Sequence, residues 1–391
     1  MKKDWKILPF DDVISSSQIG IVRNNEEQSN EFTYRYLKMN NIRNDNGLNE
    51  NSFSYIEASD EEVEKYSLKN DDFLFNTRNS YELVGKTCLY KSDYIAPTLF
   101  NNNILRVTFK KYLLPQFVAY AFSSARIIEE LDKMKSGTTS VVGIYYKSLK
   151  NLQIPVPPLP EQQGIVAILD EVFEAIATTK VNAEQNLKNA KELFERTQSQ
   201  IFKNLASTAV NVPLASVCDE LFAGGDAPKD NFSNEKTEKY KIPIIANAVK
   251  DNGLYGYTDL CRVDKPCITV AARGSGTGHT EIRYEPFFPI VRLIVLIPNT
   301  NKITLEFLKF AIQDLEILSN GSAIPQLTIP MIKEYSIALP PITKQQTIVQ
   351  KLDALSTETK RLEAIYQQKI ADLEELKKSV LQKAFSGELT R

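Results

Sequence analysis

Apolar residues recur with a helical period over two stretches much longer than any other patterned segment of the chain. From about 161 to about 205, Val166, Phe173, Lys180, Leu187, Phe194 and Ile201 form one heptad row, and Leu169, Ile176, Ala183, Ala190 and Thr197 form the other. From about 343 to about 385 the rows are Ile348, Leu355, Leu362, Lys369 and Leu376, with Leu352, Thr359, Tyr366, Leu373 and Val380. Pro160 and Pro341 stand where the two patterns begin, and Gly164 is the only glycine inside them. The spacing predicts two helices of roughly 43 residues, each about 60 Å long at 1.5 Å per residue. Coiled-coil helices reach that length and ordinary globular ones rarely do.

These two stretches are copies of one another. Residues 149–170 and 332–353 match at Ile154/Ile337, Pro157-Pro158/Pro340-Pro341, Gln162-Gln163/Gln345-Gln346, Ile165-Val166/Ile348-Val349 and Leu169-Asp170/Leu352-Asp353. The offset of 183 still holds at Phe202 and Phe385. Upstream the repeat degrades: Pro9–Val13 matches Pro213–Val217, and Asn41–Gly47 matches Asn247–Gly253. Each half is therefore a divergent globular segment followed by a well-matched helical one. Lys180 and Lys369 intrude on the seams, so neither helix predicts a strong homodimer zipper. An antiparallel intramolecular pair about a pseudo-twofold axis suits them better, with small Ala183 set against large Tyr366 near the midpoints. The alternative is two separate arms that bind other chains.

The globular segments read differently. Runs such as Asn103–Phe109 and Ile290–Ile297 are rich in apolar and β-branched residues between Asn, Gly and Pro breaks, which predicts strands. Leu114–Leu131 and Leu305–Leu318 have helical spacing and follow those strands. The expected class is α+β: two similar β-rich domains joined by two long antiparallel helices.

Composition narrows the chemistry. The 391 residues carry 47 basic and 49 acidic side chains, so a nucleic-acid site must be a local basic surface or be completed by partners. The four cysteines form no CxxC pair and His279 is the only histidine, which argues against zinc and against a histidine base elsewhere. Met1–Lys6 has no apolar stretch behind its lysines, and the most apolar run, Phe287–Pro298, is broken by Pro289 and Arg292. A cytoplasmic protein with reduced thiols and no membrane partner is expected.

Two copies of Ile-Pro-x-Pro-Pro-Leu-Pro-Glu-Gln-Gln, at Ile154–Gln163 and Ile337–Gln346, each after a divergent globular segment, resemble the specificity subunit of type I restriction–modification systems. The second copy departs from the pattern at Ala338, Ile342 and Thr343-Lys344. The resemblance covers essentially the whole chain. It implies target-recognition domains at 1–145 and 209–328, and conserved regions at 146–208 and 329–391, with long helices from about 161 and about 343. It further implies that each recognition domain reads one half of a bipartite, asymmetric site in double-stranded DNA. The helix pair would set the gap and dock two modification subunits, which carry S-adenosylmethionine and methylate adenine. Two restriction (motor–nuclease) subunits, using ATP and Mg, would join for cleavage. No cofactor is expected in this chain.

Two loops are the leading candidates for DNA contact. Asp72–Ser80 with Gly85-Lys86-Thr87, and Cys267–Thr280, are each an apolar strand, then arginine with small residues, then Gly-(Lys/His)-Thr. They resemble the strand–Arg–Gly–Ser–turn element of type I recognition domains. A phosphate-binding GxxxxGK[ST] loop would need glycine where Ser80 and Arg273 stand, and lysine where His279 stands. Arg78 and Arg273 suit guanine or phosphate, since a guanidinium bonds either in bidentate fashion. Asn79, Ser80, Ser275 and Thr277 accompany them, and Lys86 and His279 suit phosphate. Arg23 and Lys229, in earlier loops, are weaker candidates. The bland alternative is a hairpin turn whose glycines only permit the backbone. Gly137–Ser140 and Gly321–Ala323 read as structural turns. Neither Pro-Pro pair sits in an [ND]PP[YFW] context, so base flipping and methyl transfer are expected elsewhere. A non-catalytic DNA reader is the leading reading, and a coiled-coil adaptor holding two protein-binding domains is the competitor.

Overall fold

The computed structural model describes residues 4–138, 141–274, 276–315 and 327–389. It divides into two compact units, Met1–Asn182 with Lys369–Arg391, and Ala183–Gln368.

In the first unit an antiparallel sheet runs in the order Ile14–Ile19, Ile104–Phe109, Phe73–Asn76, Thr87–Leu89. Its third strand is buried on both faces. Phe73 and Phe75 point into one core, with Phe10, Phe117 and Phe122, while Leu74 points into another, with Leu37, Cys88 and Phe100. The alternation of period two thus serves two cores at once. A smaller sheet, Ser54–Ile56, Tyr34–Leu37, Thr98–Phe100, includes a parallel pairing between its last two strands.

The second unit repeats this plan. Its four-stranded sheet runs Cys218–Ala223, Ile294–Pro298, Cys267–Val270, Thr280–Arg283, and its smaller sheet runs Leu254–Thr258, Ile242–Ile245, Phe288–Pro289, again with one parallel pair. Ile268 and Val270 face the helix-side core, and Cys267 faces the other. Each unit is also closed by an antiparallel strand pair. Lys6–Pro9 lies against Gln153–Val156, and Val210–Pro213 lies against Ser336–Leu339.

The first long helix spans Leu159–Thr208 and the second Ile342–Ser386, 50 and 45 residues. Both exceed the expected length, because the helical pattern carries on through Ala206–Thr208 and down to Gly387, whose φ of 86° ends the second helix. The apolar stretch Leu114–Leu131 holds two helices, Pro115–Phe122 and Ala125–Met134. The hydroxyls of Ser123 and Ser124 bond to the carbonyls of Ala119 and Ala121 and mark the break.

Gln162 and Gln345 explain the repeated Gln-Gln. Both are fully buried, while Gln163 and Gln346 are exposed. The Gln162 Oε1 accepts from the Leu114 amide at 2.8 Å, and its Nε2 donates to the Tyr112 and Pro157 carbonyls at 2.9 and 2.8 Å. Gln345 repeats this with the Thr304 amide and the Lys302 and Pro340 carbonyls, each at 2.9 Å. One turn on, Ile165 and Leu169 enter the first unit's core, as Ile348 and Leu352 enter the second's.

Within the first unit the long helices run in opposite senses. Ile165 and Leu169 share a core with Leu381 and Ala384, the Lys377 ammonium lies 5.2 Å from the Phe173 ring centre, and Lys180 pairs with Glu374. Within the second unit, Phe194, Ile201, Phe202 and Leu205 share a core with Ile348 and Leu352. Along the predicted seam Leu169, Ile176, Ala183 and Leu352 are buried. Val166, Phe173, Leu187, Phe194, Leu355, Leu362, Tyr366, Leu373 and Val380 are half-buried. Leu376, expected on the seam, is instead 47% exposed, and Leu381 and Ala384 are buried in its place. A helix of 3.6 residues per turn drifts about 20° per heptad from a strict seven-residue row, enough to turn Leu376 outward near the end.

Removing a clasp should loosen one unit only. Burial pushes the Cys88 and Cys267 thiols up to about 12, so neither reacts at pH 8 until its own unit opens. Gln162→Leu strands one buried and two part-buried backbone groups, at up to about 1–3 kcal/mol each, and should speed alkylation of Cys88 by iodoacetamide. Gln345→Leu should do so for Cys267, and equal acceleration of both thiols in either variant would contradict a local clasp.

Candidate nucleic-acid interface

The central strand of each four-stranded sheet ends in the same backbone arrangement. The Asn76 amide bonds to the Lys86 carbonyl at 2.8 Å, and the Gly85 amide bonds back to the Asn76 carbonyl at 2.9 Å. Ala271, His279 and Gly278 repeat this at 2.9 and 2.8 Å. Gly85 and Gly278 both have φ of 87°, a conformation that glycine adopts without a steric cost. The next residue is held too: the Ile144 amide bonds to the Thr77 carbonyl and the Leu327 amide to the Ala272 carbonyl, each at 2.9 Å. Arg78 and Arg273 follow immediately, and both are exposed. Two loops of different sequence thus present an arginine from one equivalent position.

Beyond that position the loops diverge. Arg78 and Asn79 pair with Gly143 and Val142, and the Ser80 carbonyl accepts the amides of Leu83 and Val84 in a helical turn. Asn79 and Ser80 are half-buried. In the second loop Thr277 is buried, with its amide and hydroxyl both bonded to the Gly274 carbonyl. Ser275 lies outside the described residues, as do Thr139, Ser140 and Gly321–Ala323.

Two of the other predicted contacts, Lys86 and Arg23, are engaged within the protein. The Lys86 Nζ donates to the Ile42 carbonyl at 2.6 Å, and burial pushes its ammonium below the usual lysine range. The His279 Nε2 sits 3.2 Å from Glu281 Oε1. Arg23 bonds to Glu62 at 2.7 Å and to the carbonyls of Val22 and Glu57. The bond from Arg23 holds the Glu62 carboxyl below its ordinary range. Lys229 is exposed.

Neighbouring turns complete the edge around each arginine. In the first unit the amide and hydroxyl of Thr77 bond to the Asn103 carbonyl, and the Asn102 amide bonds to the Ile21 carbonyl. In the second, Asn247 joins two loops: its Oδ1 accepts from the Ala272 amide at 2.7 Å and its Nδ2 donates to the Val291 carbonyl at 3.1 Å. The amides of Val291 and Arg292 bond to the Gly225 and Gly224 carbonyls. Gly20 and Gly224 occupy matching places where a Cβ would collide with backbone at 2.1 and 2.7 Å. The sequence pattern singles out neither Asn247 nor Arg292 as a site residue, and the fold brings both to this edge. The signal for Arg292 was a charge interrupting the apolar run Phe287–Pro298. Among the described residues no cluster of three or more His, Cys, Asp or Glu side chains is arranged to hold a metal ion, and no helix is long and apolar enough to cross a membrane.

The profile of the type I restriction modification DNA specificity domain matches residues 2–189 and again 207–374. The chain belongs to this family. A protein of Mycoplasma pneumoniae named as a type I specificity subunit is 30% identical over 303 residues, covering 75% of this chain and 87% of the relative. The MjaX specificity subunit of Methanocaldococcus jannaschii is 22% identical, covering 99% of this chain and 94% of the relative. The HsdS subunit from Thermoanaerobacter tengcongensis has the same fold, with a TM-score of 0.65 at 18% identity over 99% of this chain and 98% of its own. A chain solved in work on complex assembly and conformational transition of the type I R-M system superposes with a TM-score of 0.78 at 18% identity, covering 99% of both chains. This specificity subunit therefore carries two DNA-recognition domains of one architecture, with Arg78 and Arg273 as positional counterparts.

The Arg23–Glu62 pair has a pH signature. A carboxyl held below its ordinary range adds stability above the unfolded-state value, near 4.3, and that contribution fades as the pH falls further. Arg23→Ala should therefore lower the denaturation midpoint at pH 7 by the equivalent of about 1 kcal/mol. The gap from the parent should narrow at pH 3, and a gap independent of pH would sink the ion-pair account.

Proposed function

We propose that this specificity subunit reads a split, asymmetric site in double-stranded DNA, one half through each recognition domain. The observation that carries the reading is the shared strand-end geometry that presents Arg78 and Arg273 from equivalent positions on otherwise different loops. Equivalent placement gives both domains the same approach to a duplex, and different loop chemistry gives them different bases to prefer. The long helices set the unspecified gap and dock two modification subunits. Those subunits hold S-adenosylmethionine and methylate adenine, while two restriction subunits supply ATP- and Mg-dependent translocation and cleavage. The chain itself binds no cofactor and catalyses no step. Its recognition domains at 1–145 and 209–328 alternate with the helical regions 146–208 and 329–391. Four free cysteines suit a reducing cytoplasm.

Mapping methylated adenines in cells with and without the protein should reveal one split motif that depends on it. Arg78→Ala should relax one half of that motif and Arg273→Ala the other, each by about 1–3 kcal/mol of base discrimination. Uniform loss at both halves would count against separate readers. Adding seven residues to both long helices near Ala183 and Tyr366 should lengthen the tolerated gap, and unchanged spacing would refute the ruler.

A further inference from the structure

We propose that the turn Ile290–Leu293 is a second DNA-contacting element of the second recognition domain, with Arg292 as its contact and Asn247 holding it beside the Arg273 loop. The inference rests on the reading of this chain as a DNA reader. Val291 and Arg292 have φ of 52° and 63°, two consecutive non-glycine residues in the left-handed region, and valine is β-branched. Both side chains are exposed, so burial does not reward the conformation. The matching Asn102–Asn103 turn of the first unit avoids the left-handed region, so the shared fold does not demand it. What holds the strained turn is local: the bonds from Val291 and Arg292 to the Gly225 and Gly224 carbonyls, and the Asn247 carboxamide that also takes the amide before Arg273. Strain kept in place by surrounding bonds is characteristic of functional turns.

The charge pattern agrees. In a chain with a net charge of −2, Arg273 and Arg292 stand exposed on two loops that one side chain ties together. Arg262 lies at the Gly225 end of this turn, its Nη1 3.5 Å from where a Cβ on Gly225 would stand and its guanidinium 4.8 Å from the Phe222 ring centre. Gly225, exposed beside Arg262, adds no side chain to this edge. A guanidinium placed there meets a phosphate or the O6/N7 edge of guanine in bidentate fashion.

The test uses the full chain assembled with its modification subunits and a labelled duplex carrying the split motif found by methylation mapping. Arg292→Gly should weaken binding about tenfold and flatten the dependence of log K on log salt by about one contact. The same change should slow alkylation of Cys267, because glycine relieves the left-handed backbone. Arg292→Lys should restore most of the affinity if the contact is a phosphate, and restore little if it is guanine; either outcome supports a DNA contact. Unchanged affinity in Arg292→Gly, while Arg273→Ala still binds weakly, would overturn the inference and leave the DNA reader standing. Weaker binding together with faster Cys267 alkylation would also overturn it, by showing that Arg292 supports the fold. Absence of any split motif, with Arg273→Ala binding like the parent, would sink the underlying reading itself.

Discussion

A buried carboxamide at the foot of each long helix governs how each recognition domain is seated. Gln162 and Gln345 each spend their donor and acceptor atoms on three backbone groups, one from the turn before the helix and two from the segment leading into a recognition-domain helix. A buried amide left without partners is costly, and withdrawing this side chain forfeits all three bonds together. The register fixed there carries on to Ile165 and Leu169, or Ile348 and Leu352, which meet the core within the next two turns.

From that seat the construction proceeds outward to the loops. The central strand of each sheet packs side chains into cores on both faces, and the backbone bonds at its end leave little freedom. Arg78 and Arg273 come directly after this fixed point. Binding loops are commonly built on such a division, a rigid base and a divergent tip.

Much of this was legible in the sequence. The 183-residue offset, the two long helices and the equivalence of the Arg78 and Arg273 loops all follow from residues that must recur because their local geometry recurs. Long-range partnerships were not legible. Arg23 reads as a free cation, yet Glu62, 39 positions away, takes its guanidinium. Lys86 reads as a phosphate ligand, yet the chain returns at Ile42 to accept its ammonium. Leu376 fits a strict heptad, which the untwisted helix does not keep to its end. Arg292 hid because Pro-Ile-Val-Arg-Leu has the composition of a strand, and only the backbone angles disclose the turn.

The strand pair that closes each unit bears on how such a protein can change. Lys6 lies opposite Val156, and Val210 lies opposite Leu339, so everything between them leaves and rejoins the scaffold at neighbouring points. The Gln162 or Gln345 clasp inside each unit asks only for two backbone carbonyls, one of them from the turn before the helix, and one amide, which any residue but proline supplies. A replacement domain that also presents apolar side chains to Ile165 and Leu169, or to Ile348 and Leu352, can therefore be seated on the same frame.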